Sequence, residues 1–235
     1  MVKKQRRLNN MRYASIREMD ISNGYGVGVS FFTQGCHFHC KNCFNQSTWD
    51  FNGGKEYTNA TEVKIRSLVD RPYIHRFSVL GGEPLEWCNV YDLTNLLLHI
   101  KEDADNQYKK VDVWLYTGYS LTDIIWKALL EFNPQNPKSR YITDDKNSQI
   151  MSMLYFVDHL VDGQYEEDKK DFHLKFCGSS NQRIIDMKKT HHNFINDELM
   201  CRVRGNHSGL NAAQIQYIYD YINKNVIVTI PQESL

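Results

Sequence analysis

Three cysteines within one short run constrain this chain more than any other feature of its sequence. Cys36, Cys40 and Cys43 have the spacing C-x3-C-x2-C. Three thiolates this close together can hold three corners of an iron–sulfur cluster, whereas an ordinary electron-transfer cluster takes four cysteine ligands. A set of three leaves one iron without a protein ligand, and such an open position is where a metal site carries out chemistry.

Two other interpretations of the cysteine run start from the same residues. A tetrahedral zinc site would use the three thiolates, with His37 or His39 as its fourth ligand. A group of buried free thiols is the other alternative, because cysteine packs as a small hydrophobic residue. The run favours the cluster but leaves all three interpretations open.

Composition and charge limit the kinds of partner that the chain can have. With 235 residues it suits one domain, or one domain with an appendage. Lys plus Arg and Asp plus Glu are both 28, so no overall basic field attracts nucleic acid or anionic lipid. No apolar run approaches the ~20 residues that a membrane-spanning helix needs. We therefore expect neither a nucleic-acid partner nor a membrane.

The cysteine usage and the N-terminus bear on location. Six cysteines, three of them in one run, argue against a secreted disulfide framework. Residues 1–10 are basic and lack the apolar segment of a secretory signal, so we expect them to be a flexible N-terminal extension. The sequence predicts a cytoplasmic protein.

Short apolar runs alternate with helical patterns along most of the chain. The predicted strands are 27–32, 76–80, 111–116, 155–161 and 172–176. Helices are predicted after the first three, beginning with Asn59 and Glu62 as a capping pair in the first of them. This alternation is typical of an α/β fold with a parallel sheet covered by helices. Five strands are too few for a closed eight-stranded barrel, so we expect an open partial (β/α) barrel.

Two segments depart from this alternation. Residues 133–148 contain two prolines and many polar residues, which predicts a loop insertion. Residues 198–235 are predicted to form a short C-terminal extension, with a helix over 211–223 and a strand over 226–230. The main domain is therefore expected to span residues 11–197.

The distinctive motifs follow predicted strands. The cysteine run follows the first strand, Gly81-Gly82-Glu83-Pro84 the second and Thr117-Gly118-Tyr119 the third. Ligands bind at the carboxyl ends of parallel strands, so these motifs are expected to share one site. Glycines allow backbone carbonyls to approach a ligand, which suits an ammonium group, although a tight structural turn is the alternative.

Two other features carry weaker predictions. The run Gly178–Arg183 follows the last predicted strand and suits a carboxylate or a partner's backbone, or simply caps the next helix. The isolated cysteines Cys88, Cys177 and Cys201 are interpreted as structural thiols.

Taken in order, these motifs resemble a known family: the radical S-adenosylmethionine (SAM) activating proteins of anaerobic ribonucleoside-triphosphate reductase, a subset of the glycyl-radical-enzyme activases. The resemblance covers roughly residues 11–190. It rests on residues 20–26, 35–45, 48–50, 81–85, 114–119, 160–165 and 178–183.

The resemblance implies both the cofactors and the residues that hold them. Cys36, Cys40 and Cys43 would carry the catalytic [4Fe–4S] cluster, whose open iron binds the amino and carboxylate groups of SAM. The SAM contacts would come from Asn42, Cys43, Phe44, Gly81, Gly82, Glu83 and Thr117. Many radical SAM enzymes have an aromatic residue where this chain has Asn42, so contact with adenine is expected from Phe44.

The resemblance also implies a reaction and partners. Reductive cleavage of SAM would give a 5′-deoxyadenosyl radical that takes a hydrogen atom from a glycine of the reductase large subunit. A reducing electron donor such as flavodoxin or ferredoxin would serve the cluster. The alternatives are a radical SAM enzyme for a small molecule, such as a 7-carboxy-7-deazaguanine synthase-like protein, an activase of another glycyl radical enzyme, and a zinc-binding interaction module. Gly178–Arg183 argues against the first two, and we expect this run and the late helix to border the docking surface.

Overall fold

The computed structural model describes residues 11–131, 146–195 and 212–229. Within these ranges the strands are β1 Arg12–Asp20, β2 Gly28–Thr33, β3 Lys55–Glu56, β4 Arg76–Gly81, β5 Asp112–Tyr116, β6 His159–Asp162 and β7 Arg183–Asp186. The helices are α1 Asn59–Val69, α2 Trp87–Asn106, α3 Leu121–Glu131, α4 Lys146–Leu154, α5 Met187–Ile195 and α6 Ala212–Asn225. None of the helices described is long and apolar enough to cross a membrane.

The strands form one mixed sheet in the order β3-β1-β2-β4-β5-β6-β7. Strands β2, β4, β5 and β6 are parallel to one another, as the alternating pattern predicts. The outer strands pair in antiparallel fashion, β1 with β2 and β3, and β7 with β6. The two end strands do not pair with each other, so the sheet is open, and an α/β fold is confirmed.

Two strand predictions differ from the structure. In the predicted strand 155–161 only β6 is extended, because the chain is still leaving α4 at Tyr155, whose N–H donates to the Met151 carbonyl at 3.2 Å. The predicted strand 172–176 is wrong. Its alternating apolar residues form a loop in which Phe172 is 82% exposed and Phe176 packs against Trp114, with ring centroids 5.2 Å apart.

One face of the sheet carries the main hydrophobic core. In β2, β4 and β5 the odd-numbered positions point towards the helices, among them Phe31, Phe77, Val79, Val113 and Leu115. In β6 it is the even-numbered Leu160 that does so. The predicted stripe of α2, which contains Val90, Leu93, Leu97 and Ile100, packs onto them. The N-cap of α1 lies one residue earlier than predicted, because Thr58 and Thr61 form the capping box in place of Asn59 and Glu62.

The other face of the sheet combines a buried polar network with a smaller hydrophobic cluster of Trp114, Val161 and Ile184, and loops cover it. Arg76 is fully buried there, and its guanidinium donates to the Asp20 carbonyl at 2.5 Å and to the Asn23 carbonyl. The Asp20 carboxylate in turn accepts hydrogen bonds from Ser30 and the side chain of Asn23. These contacts fold residues 20–26 back onto the sheet.

The C-terminal helix is part of the same core. α6 corresponds to the helix predicted over 211–223, and its Ile218 and Ile222 belong to the main hydrophobic cluster. Of the predicted strand 226–230, the described residues form only an isolated bridge between Val228 and Ile185. Residues 1–10 and 132–145 lie outside the described part of the chain, and residues 146–148 of the predicted insertion begin α4.

Candidate functional site

A cavity of about 400 Å³ lies at the carboxyl ends of β2, β4 and β5. Nearly all of the predicted site residues line it: Cys36, Cys40, Cys43, Phe44, Gly81, Gly82, Glu83 and Thr117. Asn42 does not line the cavity; it is exposed and has a left-handed backbone with φ of 58°. The structure thus brings the cysteine run and the Gly-Gly turn together.

The base of the cysteine loop is closed by backbone hydrogen bonds. The N–H of Gly35 donates to the Thr48 carbonyl at 2.8 Å, and that of Cys36 to the Trp49 carbonyl at 3.2 Å. Gly35 has φ of 90°, and a Cβ at this position would lie 2.5 Å from the ring of Phe51. A glycine is therefore required where the chain enters the loop.

The three thiols differ in burial. Cys36 is 9% exposed, and burial raises the pKa of its thiol to about 11, with the nearby Glu83 carboxylate adding to the effect. Burial also raises the pKa of Cys40. Cys43 accepts a hydrogen bond from the Asn45 N–H at 3.4 Å. Because burial disfavours a free thiolate at Cys36 and Cys40, a positively charged metal centre would provide the compensation that deprotonation requires.

The two histidines of the run are occupied elsewhere. His37 pairs with Glu86 and stacks on Phe38 at 4.4 Å between ring centroids, while His39 lies 4.6 Å from the ring of Trp49. Neither histidine lines the cavity. No set of three or more His, Cys, Asp and Glu side chains in the described ranges is arranged to hold a metal ion. An iron–sulfur cluster does not require its thiolates to converge on one metal ion, because each thiolate binds a different iron atom of the cluster.

The Gly81-Gly82 turn lies directly against the cysteine loop. The N–H of Gly82 donates to the Thr33 carbonyl at 2.9 Å, and that of Glu83 to the Gly35 carbonyl at 2.8 Å. A Cβ on Gly82 would lie 2.5 Å from the Gly35 carbonyl oxygen. The two loops can approach this closely only because the turn has no side chains at its glycines.

The Glu83 carboxylate ties the ends of β4 and β5 together. It is 2% exposed and accepts hydrogen bonds from the Leu85 N–H at 2.9 Å, the Thr117 hydroxyl at 2.7 Å and the Gly118 N–H at 2.8 Å. The side chains of Glu83 and Thr117 therefore bond to each other in holding the turn. Burial raises the pKa of Glu83 to about 7 in spite of these three donors.

The raised pKa of Glu83 predicts a pH-dependent stability. Between its ordinary value of 4.5 and about 7, the folded state binds this proton more tightly than the unfolded state does. The free energy of unfolding should therefore fall as the pH rises through this window, by about 3 kcal/mol from this group. Glu83→Gln should remove that component, as urea denaturation at pH 5 and pH 8 can measure. If the free energy of unfolding changed with pH equally in the two proteins, the stability effect attributed to the raised pKa of Glu83 would be contradicted.

Sequence reasoning missed Asn89, which fastens the two loops to α2. This fully buried side chain donates to the Gln34 carbonyl at 3.1 Å and to the Glu83 carbonyl at 2.9 Å. Gln34 itself donates from its amide to the Asp50 carbonyl at 2.7 Å. The sequence feature that could have revealed this role is an amide side chain next to the apolar stripe of α2, because a buried amide needs hydrogen-bond partners.

Replacing Asn89 by leucine should destabilise the protein without changing the size of the buried side chain. The substitution removes the side-chain donor of the Gln34 carbonyl and one of two donors of the Glu83 carbonyl, which still accepts from the Glu86 N–H at 3.1 Å. This loss costs about 1–3 kcal/mol in the free energy of unfolding. Urea denaturation measures this cost. Asn106→Leu at the exposed end of α2 is the matched control and should stay within about 0.5 kcal/mol of the parent protein. Equal losses in the free energy of unfolding for both variants would show that the hydrogen bonds of Asn89 do not stabilise the protein.

The run Gly178–Arg183 precedes the last strand instead of following it. Its Arg183 forms two hydrogen bonds with the buried carboxylate of Asp162, with Nε at 2.9 Å from Oδ1, so the guanidinium already has an internal partner. Gly178 and Gln182 line the cavity, as does Cys177 in front of them. The cysteine interpreted as an isolated structural thiol therefore shares a cavity with the cysteine run.

Comparison with known proteins places the chain in a family. A family profile described as a 4Fe-4S single cluster domain matches residues 22–185. Three anaerobic ribonucleoside-triphosphate reductase-activating proteins align over 74% of this chain: those of Salmonella typhi (33% identical, 97% of the relative covered), Escherichia coli strain K12 (32%, 97%) and Enterobacteria phage T4 (30%, 93%). The chain therefore belongs to the family of anaerobic ribonucleoside-triphosphate reductase-activating proteins.

Proposed function

We propose that this protein is a radical SAM activase that generates the glycyl radical on the large subunit of anaerobic ribonucleoside-triphosphate reductase. The observation that carries the proposal is the cavity in which Cys36, Cys40 and Cys43 meet the Gly81-Gly82 turn. A [4Fe–4S] cluster and SAM would supply the chemistry, namely reductive cleavage of SAM to a 5′-deoxyadenosyl radical that takes a hydrogen atom from the glycine. The family relationship supports the partner.

The donor set of the cavity fits such a cluster. Three thiols from one loop line the same wall, and thiolates are the ligands that iron–sulfur clusters use. Next to them the glycines leave the main chain of the turn uncovered by side chains. Cys177 is a fourth thiol in the cavity, and substitution decides whether it is a ligand.

Residues around the thiols would bind and shield SAM. The Gly81-Gly82 main chain would accept the ammonium group, and the Glu83 carboxylate, which is hydrogen-bonded to Thr117, would keep this turn in place. Phe44 lines the cavity with 77% of its surface exposed, and the Nζ of Lys170 lies 5.5 Å from the centre of its ring. The exposed part of this ring would stack on adenine. Protein on the remaining sides would limit the access of water to the radical.

The fold and the partners follow from the same proposal. We infer that residues 11–197 form an open partial (β/α) barrel of the radical SAM type, with 198–235 as an extension. An open sheet leaves room for a glycine-bearing loop of another protein to reach the cavity. The cluster would receive its electron from a reduced flavodoxin or ferredoxin in the cytoplasm.

Anaerobic reconstitution tests this function. The chain is loaded with iron and sulfide, reduced and mixed with SAM, and 5′-deoxyadenosine is assayed with and without the reductase. The expected result is product together with a glycyl-radical electron paramagnetic resonance (EPR) signal on the reductase. Product without that signal would point to another substrate, which can be sought by supplying another glycyl radical enzyme or a small molecule. A protein that holds zinc and no sulfide would overturn the proposal.

A further inference from the structure

The ammonium group of Lys170 contacts two phenylalanine rings beside the cavity. Its Nζ lies 5.5 Å from the centre of the Phe44 ring and 4.8 Å from the centre of the Phe172 ring. A cation within about 6 Å of a ring centre is attracted by the negative face of the ring. The two rings are 77% and 82% exposed, whereas the Lys170 side chain is 27% exposed. Burial of apolar surface therefore gives little reason for this arrangement.

Lys170 is fixed at both its side chain and its main chain. Its Nζ pairs with the Glu167 carboxylate at 3.7 Å, and that carboxylate also accepts a hydrogen bond from the Tyr165 hydroxyl. The main chain of Lys170 forms an antiparallel bridge with the fully buried Ser179. The ammonium group therefore has a defined position in the loop between β6 and β7.

Phe44 belongs to the cavity wall, whereas Lys170 and Phe172 do not. The ammonium group thus approaches the Phe44 ring from outside the wall and leaves part of the ring to the cavity. The Tyr165 ring gives a second contact, 6.4 Å from the Phe44 ring between centroids and at an interplanar angle of 56°. Both contacts come from the loop between β6 and β7, so this loop limits the directions that the Phe44 ring can take.

We propose that Lys170 is a positioning residue for SAM, because it holds the ring of Phe44 in the orientation in which that ring stacks on adenine. The inference rests on the proposed function, under which SAM occupies this cavity beside a cluster. A mostly exposed phenylalanine can adopt several rotamers, and each of them presents a different surface to the cavity. Holding the ring in one rotamer before the ligand arrives lowers the entropy cost of binding.

The test compares the binding of two ligands to the reconstituted full-length protein. SAM carries adenine, and methionine has the same amino and carboxylate groups without it. Lys170→Met replaces the ammonium group by an uncharged end and should weaken SAM binding about threefold to tenfold, the size of one partly buried cation–π contact. Methionine binding should stay at the parent value. Isothermal titration calorimetry measures both dissociation constants with the cluster oxidised, which leaves SAM uncleaved.

Three further variants separate positioning from a general effect of substitution. Lys170→Arg keeps a cation at the rings and should keep the SAM affinity within about twofold of the parent. Lys169→Met is the matched control, since it removes a neighbouring lysine that pairs with Glu166 at 2.7 Å, and it should bind SAM as the parent does. Phe44→Leu should weaken SAM binding about tenfold, the effect of losing one base–aromatic stack. Adding Lys170→Met to Phe44→Leu should cause no further loss, because residues that act through one contact are non-additive.

Each outcome decides the inference. Parent affinity for SAM in Lys170→Met or in Phe44→Leu would overturn it, as would an equal loss of SAM and methionine binding, and all three would leave the activase function intact. If Lys170→Met does not fold, Lys170→Gln is judged by the same two affinities. Failure of the parent protein itself to assemble a cluster, seen in iron and sulfide content, would overturn the proposed function and this inference with it.

Discussion

Alanine at Cys36, Cys40 or Cys43 should each abolish cluster assembly, because a cluster with only two protein ligands has lost one of the three corners that hold it. The expected result is a reconstituted protein with little bound iron and sulfide and no charge-transfer absorption in the visible range. Production of 5′-deoxyadenosine should fall to the background of a reaction without protein. Metal and sulfide analysis, absorption spectroscopy and product assay measure the three effects independently.

The remaining described cysteines provide matched controls. Cys88 lies outside the cavity wall, and Cys88→Ala should keep both cluster and activity. Cys177 lines the cavity, so Cys177→Ala tests whether this cysteine binds the cluster or only lies close to it. A normal cluster in Cys177→Ala would support three protein ligands and an open iron. Loss of the cluster in that variant, or its retention in Cys36→Ala, would contradict the assigned ligand set.

Arg76→Leu should be among the most destabilising single substitutions in this chain. The buried guanidinium donates to the carbonyls of Asp20 and Asn23 and to the hydroxyl of Ser78. Its removal takes a charged donor away from the Asp20 carbonyl, while the Asn23 carbonyl still accepts from the Ser78 hydroxyl at 2.6 Å, and it loosens residues 20–26 on the sheet. Losing one partner of a buried polar network costs about 3–5 kcal/mol in the free energy of unfolding. Urea or thermal denaturation should show this loss.

A half-exposed arginine is the control for Arg76. The Arg71 side chain makes a long ion pair with Glu18, at 3.5 Å, and a hydrogen bond to the Tyr73 hydroxyl at 3.4 Å. Arg71→Leu should change the free energy of unfolding by less than about 1 kcal/mol. Since Ser22 and Asn23 belong to the cavity wall, Arg76→Leu should also open one side of the cavity. Similar stabilities of the two variants would show that the network at Arg76 contributes little.

Much of the parallel sheet could be predicted because its strands are short apolar runs. Strands β2, β4 and β5 coincide with predicted segments to within a residue or two, and this alone placed the cysteine run beside the Gly-Gly turn. By contrast β1 escaped prediction, because its charged residues Arg12, Arg17 and Glu18 interrupt any apolar run. β1 lies near the edge of the sheet, between the two-residue strand β3 and β2, and a strand in that position needs fewer apolar residues than a strand at the centre.

Side-chain contacts between distant segments could not be predicted. Arg76 meets residues more than 50 positions away, and Asn89 bonds a carbonyl 55 positions away, so no local pattern reveals either partner. The segment 172–176 was wrongly predicted to be a strand because its local pattern is that of a strand. Its alternation of Phe172, Leu174 and Phe176 has the period of a strand, but the segment forms a loop in which Phe176 packs on Trp114, on the sheet face opposite the main core.

The buried polar residues on the second face of the sheet have a consequence for strand register. In β4, Arg76 and Ser78 face one side while Phe77 and Val79 face the other, so a slip of one residue would bury a guanidinium among the core side chains. The correct alignment pairs Thr33 with Gly81, the residues at which the cysteine loop and the Gly-Gly turn depart. The buried polar groups of β4 therefore disfavour a shifted register and keep the cysteine loop and the Gly-Gly turn at the same level of the sheet.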